Sequence, residues 1–303
     1  MFQVSAKIIY NNKIKKNYFE IALTAQQIAK SALPGQFVNI KVSDGSEPLL
    51  RRPLSIHRIG RKVARSQSHT SKEKEFIVML YEVVGKGTEI LSTRKAGEYL
   101  DVIGPLGNGF DYEGRPPQSA GGRPPEQCGG RRMKDDGRIV LVAGGMGTAP
   151  LVFLAERLRE RGTKDERRRT KVLIGAKTKD SILCEKEFRD LGCEVRVATD
   201  DGSRGFKGYV SNLLKKELST IDYRILTIYA CGPIPMLKEI SRISLEHTIP
   251  AQLSLESHMA CGIGACMGCV IKTRDVERET KDVFEYKRVC KEGPVFEAGE
   301  IIW

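Results

Sequence analysis

Four cysteines near the C-terminal end constrain the fold of this 303-residue chain more than any other feature. Cys261, Cys266 and Cys269 stand in the spacing C-x4-C-x2-C, and Cys290 follows after twenty intervening residues. This spacing is typical of plant-type [2Fe–2S] sites, in which one loop supplies three thiolates and a later segment supplies the fourth. The glycines between the first three cysteines let such a loop wrap closely around a cluster. The sequence therefore predicts an iron–sulfur site.

Zinc binding and disulfide formation stay open as alternative roles for these cysteines at this point. Zinc is the main alternative, although structural zinc sites usually combine two C-x2-C pairs or mixed Cys/His knuckles. The segment has a single C-x2-C, and His258 lies outside the pattern. A disulfide, or no shared role at all, is the second alternative. The N-terminal stretch lacks the apolar core and cleavage site of an export signal, so we expect a reducing, cytoplasmic setting.

The hydrophobic pattern divides the chain into an all-β part and an α/β part. Residues 1–112 contain short alternating segments such as "FQVSAKIIY" and "GQFVNIKV", which predict a small antiparallel β-barrel. In residues 138–248, apolar strands such as "RIVLVAG" alternate with helical segments, which predicts a parallel α/β sheet. Residues 113–137 are rich in glycine and proline and are typical of a linker or insertion. Residues 249–303 form a third, cysteine-rich module.

Two glycine-containing turns at the ends of predicted strands indicate a nucleotide site. "GGMGTAP" (residues 144–150) follows a buried strand and enters a helix, which directs N–H groups and the positive helix end towards a phosphate. "YACGP" (residues 229–233) closes another strand at its carboxyl end, where open α/β sheets bind ligands. The alternatives are a tight turn that favours glycine for its own geometry and a buried, inert Cys231.

Two weaker motifs lie in the predicted barrel. "LRRPLSI" (residues 50–56) offers Arg52 for a bidentate phosphate contact and Ser55 as a hydrogen-bond donor to a ring nitrogen. "VVGKGT" (residues 83–88) is a glycine-rich loop that follows a strand. Taken alone, the first is equally compatible with a strand edge and the second with an ordinary turn.

The order of these motifs resembles the ferredoxin–NADP reductase superfamily of flavoproteins. Together with the cysteine module, the segments "RRPLSI", "GKGTEIL", "GPLGNGF", "GGMGTAPL", "ATDDGSRGFKGYV", "ACGIGACMGCV" and "YKRVCKEGPVF" resemble the electron-transfer subunits of type B, NAD-dependent dihydroorotate dehydrogenase. The resemblance extends from about Val4 to Phe296. Residues 60–75 and 113–137 are apparent insertions outside it.

The resemblance implies three cofactor sites and no catalytic acid or base. It places FAD in the barrel, NAD in the α/β domain and a [2Fe–2S] cluster on Cys261, Cys266, Cys269 and Cys290. The implied FAD contacts are Arg52, Pro53, Leu54, Ser55, Leu80, Tyr81, Glu82, Gly87 and Thr88. The implied NAD contacts are Gly145, Gly147, Thr148, Pro150, Cys231, Gly232 and Pro233.

The resemblance also implies a partner. This would be a separate FMN-containing catalytic subunit that oxidises dihydroorotate in pyrimidine (UMP) biosynthesis, in a heterotetramer with two copies of each chain. Electrons would pass from FMN through the cluster and FAD to NAD+. An NAD(P)H–ferredoxin reductase or a hydrogenase-associated diaphorase is the alternative enzyme. A binding protein with a structural zinc is the alternative outside enzymes.

Charge and hydropathy argue against two further classes of partner. The net charge is +12, from 50 Lys and Arg against 38 Asp and Glu, yet no nucleic-acid motif with interleaved aromatics accompanies the basic residues. A solvated surface or an acidic partner protein explains this excess. The longest uncharged run, residues 139–155, is interrupted by glycines and a proline and is shorter than the ~20 apolar residues of a membrane span. We therefore expect neither nucleic acid nor membrane as a partner.

Overall fold

The structure is a computed structural model that describes residues 1–43, 45, 47–63, 73–112, 138–161, 170–219, 226–274 and 284–303. The predicted linker 113–137 lies outside the described residues, as do residues 64–72 of the first apparent insertion. No helix among the described residues has the length and apolar character needed to cross a membrane.

Six antiparallel strands close into a barrel at the N-terminal end. The strands are β1 (Phe2–Lys13), β2 (Tyr18–Leu23), β3 (Phe37–Lys41), β4 (Arg52–Val63), β5 (Glu73–Glu82) and β6 (Tyr99–Leu106). Their order around the barrel is β1-β2-β5-β4-β3-β6. Alternate side chains fill the interior, so the apolar alternation of the sequence corresponds to the inner face. The predicted barrel is confirmed.

The ends of the first apparent insertion extend the barrel. Strand β4 continues to Val63 and β5 begins at Glu73, and the two strands pair through Gly60 with Phe76 and Arg61 with Glu75. Residues 60–63 and 73–75 of the apparent insertion therefore form part of the barrel. Exposed charges, such as the Arg61–Glu75 ion pair, obscure the alternation from which a strand is predicted.

The second half of the chain builds one seven-stranded sheet and a hairpin. The strands are β7 (Arg138–Gly144), β8 (Thr170–Ala176), β9 (Glu194–Thr199), β10 (Phe206–Lys207), β11 (Leu226–Cys231), β12 (Ala251–Ser254), β13 (Val270–Arg274), β14 (Phe284–Arg288) and β15 (Val295–Glu297). The sheet order is β10-β9-β8-β7-β11-β12-β15, and β13 pairs with β14 alone. All pairs in the sheet are parallel except β12 with β15.

Six helices accompany the strands among the described residues. They are α1 (Gln26–Ser31), α2 (Lys86–Thr93), α3 (Thr148–Arg161), α4 (Glu185–Asp190), α5 (Val210–Leu218) and α6 (Ile234–Glu246), with 3-10 turns at Gly145–Gly147 and Lys179–Ser181. Strands β8 and β11 lie on opposite sides of β7, so the chain reverses its direction of sheet growth there. Such a switch point opens a crevice at the carboxyl ends of the strands.

The predicted cysteine-rich module, residues 249–303, is not fully separate from the α/β sheet. Strand β12 pairs with β11, and β15 pairs with β12, so both belong to the α/β sheet. The cysteine loop between β12 and β13 and the β13–β14 hairpin project from this sheet. The predicted boundary at residue 249 therefore lies just before β12, a strand of the α/β sheet. The sequence could not predict this, because parallel pairing with a distant strand produces no local pattern.

Candidate functional site

The four cysteines of the C-x4-C-x2-C…C pattern come from one loop and from the turn that follows β14. Their sulfurs interact most strongly in two pairs, Cys261 with Cys266 and Cys269 with Cys290. No three of these four sulfurs lie within 4.8 Å of one another. A single tetrahedral zinc would instead hold four sulfurs about 3.8 Å apart. The donor set therefore fits two metal centres better than one.

Backbone N–H groups of the loop point at the sulfurs. Ala265 N and Cys266 N donate to Cys261 Sγ over 3.3 and 3.4 Å, and Cys290 N donates to Cys269 Sγ over 3.4 Å. Burial acts to raise the pKa of Cys261, but these and further hydrogen bonds outweigh it and lower the pKa to about 6. Thiolates with N–H donors are the ligands that iron–sulfur clusters use, so the residues present fit such a group.

The loop keeps its shape through glycine and arginine contacts. Gly262 and Gly264 have φ of +69° and +85°, a region in which a side chain is strained. Arg288, two residues before the last cysteine, donates to the Gly264 carbonyl over 2.7 Å. The glycines were predicted from the sequence, whereas Arg288 was not.

A buried asparagine, which was not predicted from the sequence, connects the cysteine loop to the barrel. Asn39 on β3 donates from Nδ2 to the Cys261 carbonyl over 3.0 Å. A Cβ on Gly262 would lie 2.4 Å from the same Nδ2, so the backbone of the loop packs closely on the Asn39 side chain. The only sequence signal is a polar residue within the apolar run "FVNIKV". The loop consequently lies against the outer face of β3.

The barrel motif "RRPLSI" lies on the neighbouring strand. Pro53 and Ser55 pair with Asn39 and Phe37 and share their outward direction, so they adjoin the cysteine loop. Leu54 is partly buried and packs on the barrel core. Pro53 and Ser55 therefore lie on the outer surface of the barrel, whereas Leu54 lies towards its interior.

Arg52 and the glycine-rich loop "GKGT" converge although they are distant in sequence. The Arg52 guanidinium lies over Gly87 at the start of α2, where a Cβ would be 2.0 Å from Arg52 Nε. Thr88 Oγ1 fixes the loop by accepting from Val84 N over 3.0 Å and donating to the Gly85 carbonyl over 3.0 Å. A guanidinium beside a helix start, with glycine leaving room, suits a phosphate.

Residues 80–82 of β5 alternate between two environments. Leu80 packs in the apolar cluster that joins the barrel to the α/β sheet. Tyr81 points into the barrel, stacks on Phe19 at 5.6 Å and donates to Asn11 Oδ1 over 2.9 Å. The Tyr81 side chain is therefore not on the surface where a flavin contact was predicted. Glu82 shares the face of Leu80 and is half-buried.

The two predicted nucleotide loops meet at the switch point of the sheet. A Cβ on Gly147 would lie 2.0 Å from the Cys231 carbonyl oxygen, and one on Gly232 would lie 3.0 Å from Gly144 Cα. Gly145 has φ of +53°, and the Thr148 hydroxyl donates to its carbonyl over 3.0 Å. These contacts place the start of α3 beside the carboxyl end of β11, which is where open sheets bind nucleotides.

Cys231 itself is buried beneath these loops. Burial first, and then the charge of nearby Glu256, raises the pKa of its thiol well above the ordinary range, so the thiol is neutral and a poor nucleophile. Cys231 belongs to the same apolar cluster as Leu80 of the barrel. The nucleotide edge of the sheet therefore faces β5, which neighbours β4 in the barrel.

Comparison with protein families supports two of the three modules. Residues 256–302 match the family described as the iron–sulfur cluster binding domain of dihydroorotate dehydrogenase B. Residues 141–242 match the oxidoreductase NAD-binding domain family. The cysteine loop and the switch-point loops lie within these two matches.

Solved structures share the fold over four fifths of the chain or more. The structure of an NADH-dependent reduced ferredoxin-NADP oxidoreductase, studied for flavin-based electron bifurcation, has a TM-score of 0.74 and 27% identity, covering 99% of this chain and 90% of that one. A ferredoxin NADP+ reductase from Neisseria gonorrhoeae with bound FAD and NADP has a TM-score of 0.58 and 14% identity, covering 80% of this chain and 91% of that one. The predicted barrel-plus-α/β architecture is thereby confirmed.

Curated relatives extend over the full length. Proteins named "Dihydroorotate dehydrogenase B (NAD(+)), electron transfer subunit" match from Desulforamulus reducens, at 38% identity over 98% of this chain and 97% of the relative, and from Lysinibacillus sphaericus, at 37% over 99% and 98%. A protein of the same name from Bacillus cereus is 38% identical over 100% of both chains. With the family match over the four cysteines, these relatives show that the chain belongs to the family of oxidoreductase electron transfer subunits of NAD-dependent dihydroorotate dehydrogenase B.

Proposed function

We propose that this chain transfers electrons from a partner subunit, which oxidises dihydroorotate with a bound FMN, to NAD+. One observation carries the proposal: the cysteine loop, the outer face of the barrel and the nucleotide edge of the sheet adjoin one another. Asn39 joins the loop to β3 beside Pro53, and Leu80 and Cys231 belong to one apolar cluster between barrel and sheet. Three carriers on these surfaces would be neighbours.

The proposed roles of the residues are to bind and position. A [2Fe–2S] cluster carries one electron, NAD+ accepts a hydride, and FAD exchanges electrons singly or in pairs. Arg52 with Gly87 and Thr88 would hold the FAD pyrophosphate, and Ser55 would face the flavin ring. Gly145 and Gly147, with the start of α3, would hold the NAD pyrophosphate. Thr148, Pro150, Gly232 and Pro233 would shape that site, and Cys231 would line it without reacting.

A Gly87→Ala substitution tests the assignment of Arg52. The added methyl would displace the guanidinium, because a Cβ at this position lies 2.0 Å from Nε. Loss of a charge-assisted hydrogen bond to phosphate should weaken FAD binding by roughly 10- to 100-fold. FAD retention during dilution and gel filtration measures this loss. Gly85→Ala is the control, because a Cβ there meets nothing within 4 Å, and equal FAD affinity in the two variants would contradict the assignment.

The cysteine loop offers the surface at which the partner would dock. Ile263 and Met267 expose 45% and 48% of their surface directly beside cluster ligands. Exposed apolar side chains around an electron carrier are typical of a surface that another protein covers. We propose that the FMN subunit covers this loop, and that two copies of each chain form a cytoplasmic heterotetramer.

An Ile263→Glu substitution tests the docking surface. A carboxylate in the centre of an apolar contact should weaken binding of the FMN subunit by ~10-fold or more. The control is Ile14→Glu on the β1–β2 hairpin, where the isoleucine is 46% exposed. Binding is measured with the immobilised partner, and NADH oxidation by ferricyanide shows whether each variant keeps its flavin site. Unchanged affinity for Ile263→Glu would contradict docking at the loop.

The partner that co-purifies with this chain distinguishes the proposed function from the functions of other enzymes with the same fold. A partner that carries FMN and oxidises dihydroorotate supports the proposal. A hydrogenase or a ferredoxin as the partner would support a diaphorase or a ferredoxin reductase instead. A colourless preparation that contains zinc in place of iron and flavin would contradict all three of these enzyme functions.

A further inference from the structure

We propose that His57, Cys184 and Glu187 bind a divalent transition-metal ion of the zinc class, at a site separate from the four cluster cysteines. His57 lies on barrel strand β4, Cys184 directly precedes α4, and Glu187 lies in the first turn of α4. One ligand atom from each side chain lies within 4.8 Å of the other two. Among the described residues, this is the only such group of three. It is independent of the proposed electron-transfer function.

The histidine is already arranged as a metal ligand. His57 is fully buried, and its Nδ1 lies 3.1 Å from the Ala149 carbonyl oxygen. A carbonyl only accepts, so Nδ1 carries the proton and Nε2 presents a lone pair. Nε2 has no hydrogen-bond partner among the described residues, and a ring nitrogen of His57 lies within 4.8 Å of ligand atoms of both Cys184 and Glu187. A backbone carbonyl on the second ring nitrogen is the usual support of a metal-binding imidazole.

The donors in this group favour zinc over calcium or magnesium. A thiolate and an imidazole are soft or borderline ligands, whereas calcium and magnesium require mostly oxygen. Three protein ligands leave a fourth position for water, since the nearby Glu20 carboxylate, whose Oε2 lies 4.0 Å from His57 Nε2, is already paired with Arg58. The charge balances as well, because the dication neutralises one thiolate and one carboxylate. On binding, the Cys184 thiol would release its proton to solvent.

The position of the group suggests what the ion would do. Its ligands come from the barrel and from the α/β unit, so the ion would join the two. The Ala149 carbonyl that accepts from His57 lies in the first turn of α3, within the segment "GGMGTAP". A bound ion would therefore fix this glycine loop relative to the barrel.

Zinc binding to the holoprotein, with its cluster in place, tests the site. The protein is equilibrated with zinc and gel-filtered, and zinc and iron are counted. We expect one zinc per chain in addition to the cluster iron. In chelator competition, Cys184→Ser and Glu187→Gln should each weaken zinc binding by ~100-fold or more, because each removes a direct ligand. Cys193→Ser, at a half-buried cysteine outside the group, should bind zinc like the parent.

X-ray absorption at the zinc edge separates this site from zinc that has replaced iron. The proposal requires one sulfur and lighter atoms around zinc, whereas four sulfurs would place the ion at the cluster cysteines and overturn it. A holoprotein that holds no zinc after equilibration would overturn it too, as would variants that bind zinc as tightly as the parent. The flavin and cluster spectra of each variant show that it has folded, and Glu187→Gln gives a second test if Cys184→Ser does not fold.

Discussion

A Cys266→Ser substitution should lower dihydroorotate-dependent NAD+ reduction by the complete complex by at least ~10³-fold, the scale on which loss of an indispensable group acts. Cys266 is an exposed member of the first cysteine pair, so its loss would disrupt the carrier nearest the proposed partner. Oxidation of NADH by ferricyanide should persist, because the barrel and nucleotide surfaces lie on other strands. Both rates are measured on the same preparation.

The matched control for this variant is Cys193→Ser. Cys193 is a free thiol outside the four-cysteine pattern and is half-buried. Both activities of this control should equal those of the parent. If Cys266→Ser kept full dihydroorotate-dependent NAD+ reduction, the relay role of the cysteine loop would be wrong.

The second large effect is expected at the meeting point of the nucleotide loops. In Gly147→Ala the new methyl would lie 2.0 Å from the Cys231 carbonyl oxygen and 2.7 Å from Gly232 N. Both atoms are backbone, so the loops must separate. Overpacking of this kind costs about 1–3 kcal/mol of folding free energy. A shift of about 1 Å in a cofactor site lowers kcat/KM by ~10²-fold, which we expect for NADH oxidation by ferricyanide.

Gly299→Ala is the control for that substitution. A Cβ at Gly299 would meet only Leu245 Cδ2, at an ordinary contact distance of 3.6 Å. Its melting temperature and its kcat/KM for NADH should match those of the parent. Parent-like values for Gly147→Ala would show that the close approach of the two loops does not shape the nucleotide site.

Local patterns were sufficient to predict the architecture and the four cysteines. Alternation such as "FVNIKV" marks barrel strands because one face is buried, and apolar runs such as "RIVLVAG" mark sheet strands because both faces are covered. In the structure Tyr81 points inward with Met79, away from Leu80 and Glu82. The unbroken apolar run "FIVMLY" (residues 76–81) has no alternation from which this direction could be predicted, and the implied flavin contact at Tyr81 stays a prediction.

Contacts between distant segments could not be predicted from the sequence. Asn39 and Cys261 are 222 residues apart, and no local pattern relates them. Strand β12 joins the α/β sheet only because β11 lies beside it. The group of His57, Cys184 and Glu187 likewise depends on how the barrel packs against the sheet. Arg52 and Gly87 show an intermediate case, since each belonged to a weak motif and only the fold brings them together.

The most direct test of the proposed function is NADH formation by the purified complex of this chain with an FMN-containing partner, supplied anaerobically with dihydroorotate and NAD+. We expect one NADH for each dihydroorotate oxidised, and none from either chain alone. A complex that oxidised dihydroorotate with an artificial acceptor but formed no NADH would contradict the proposal.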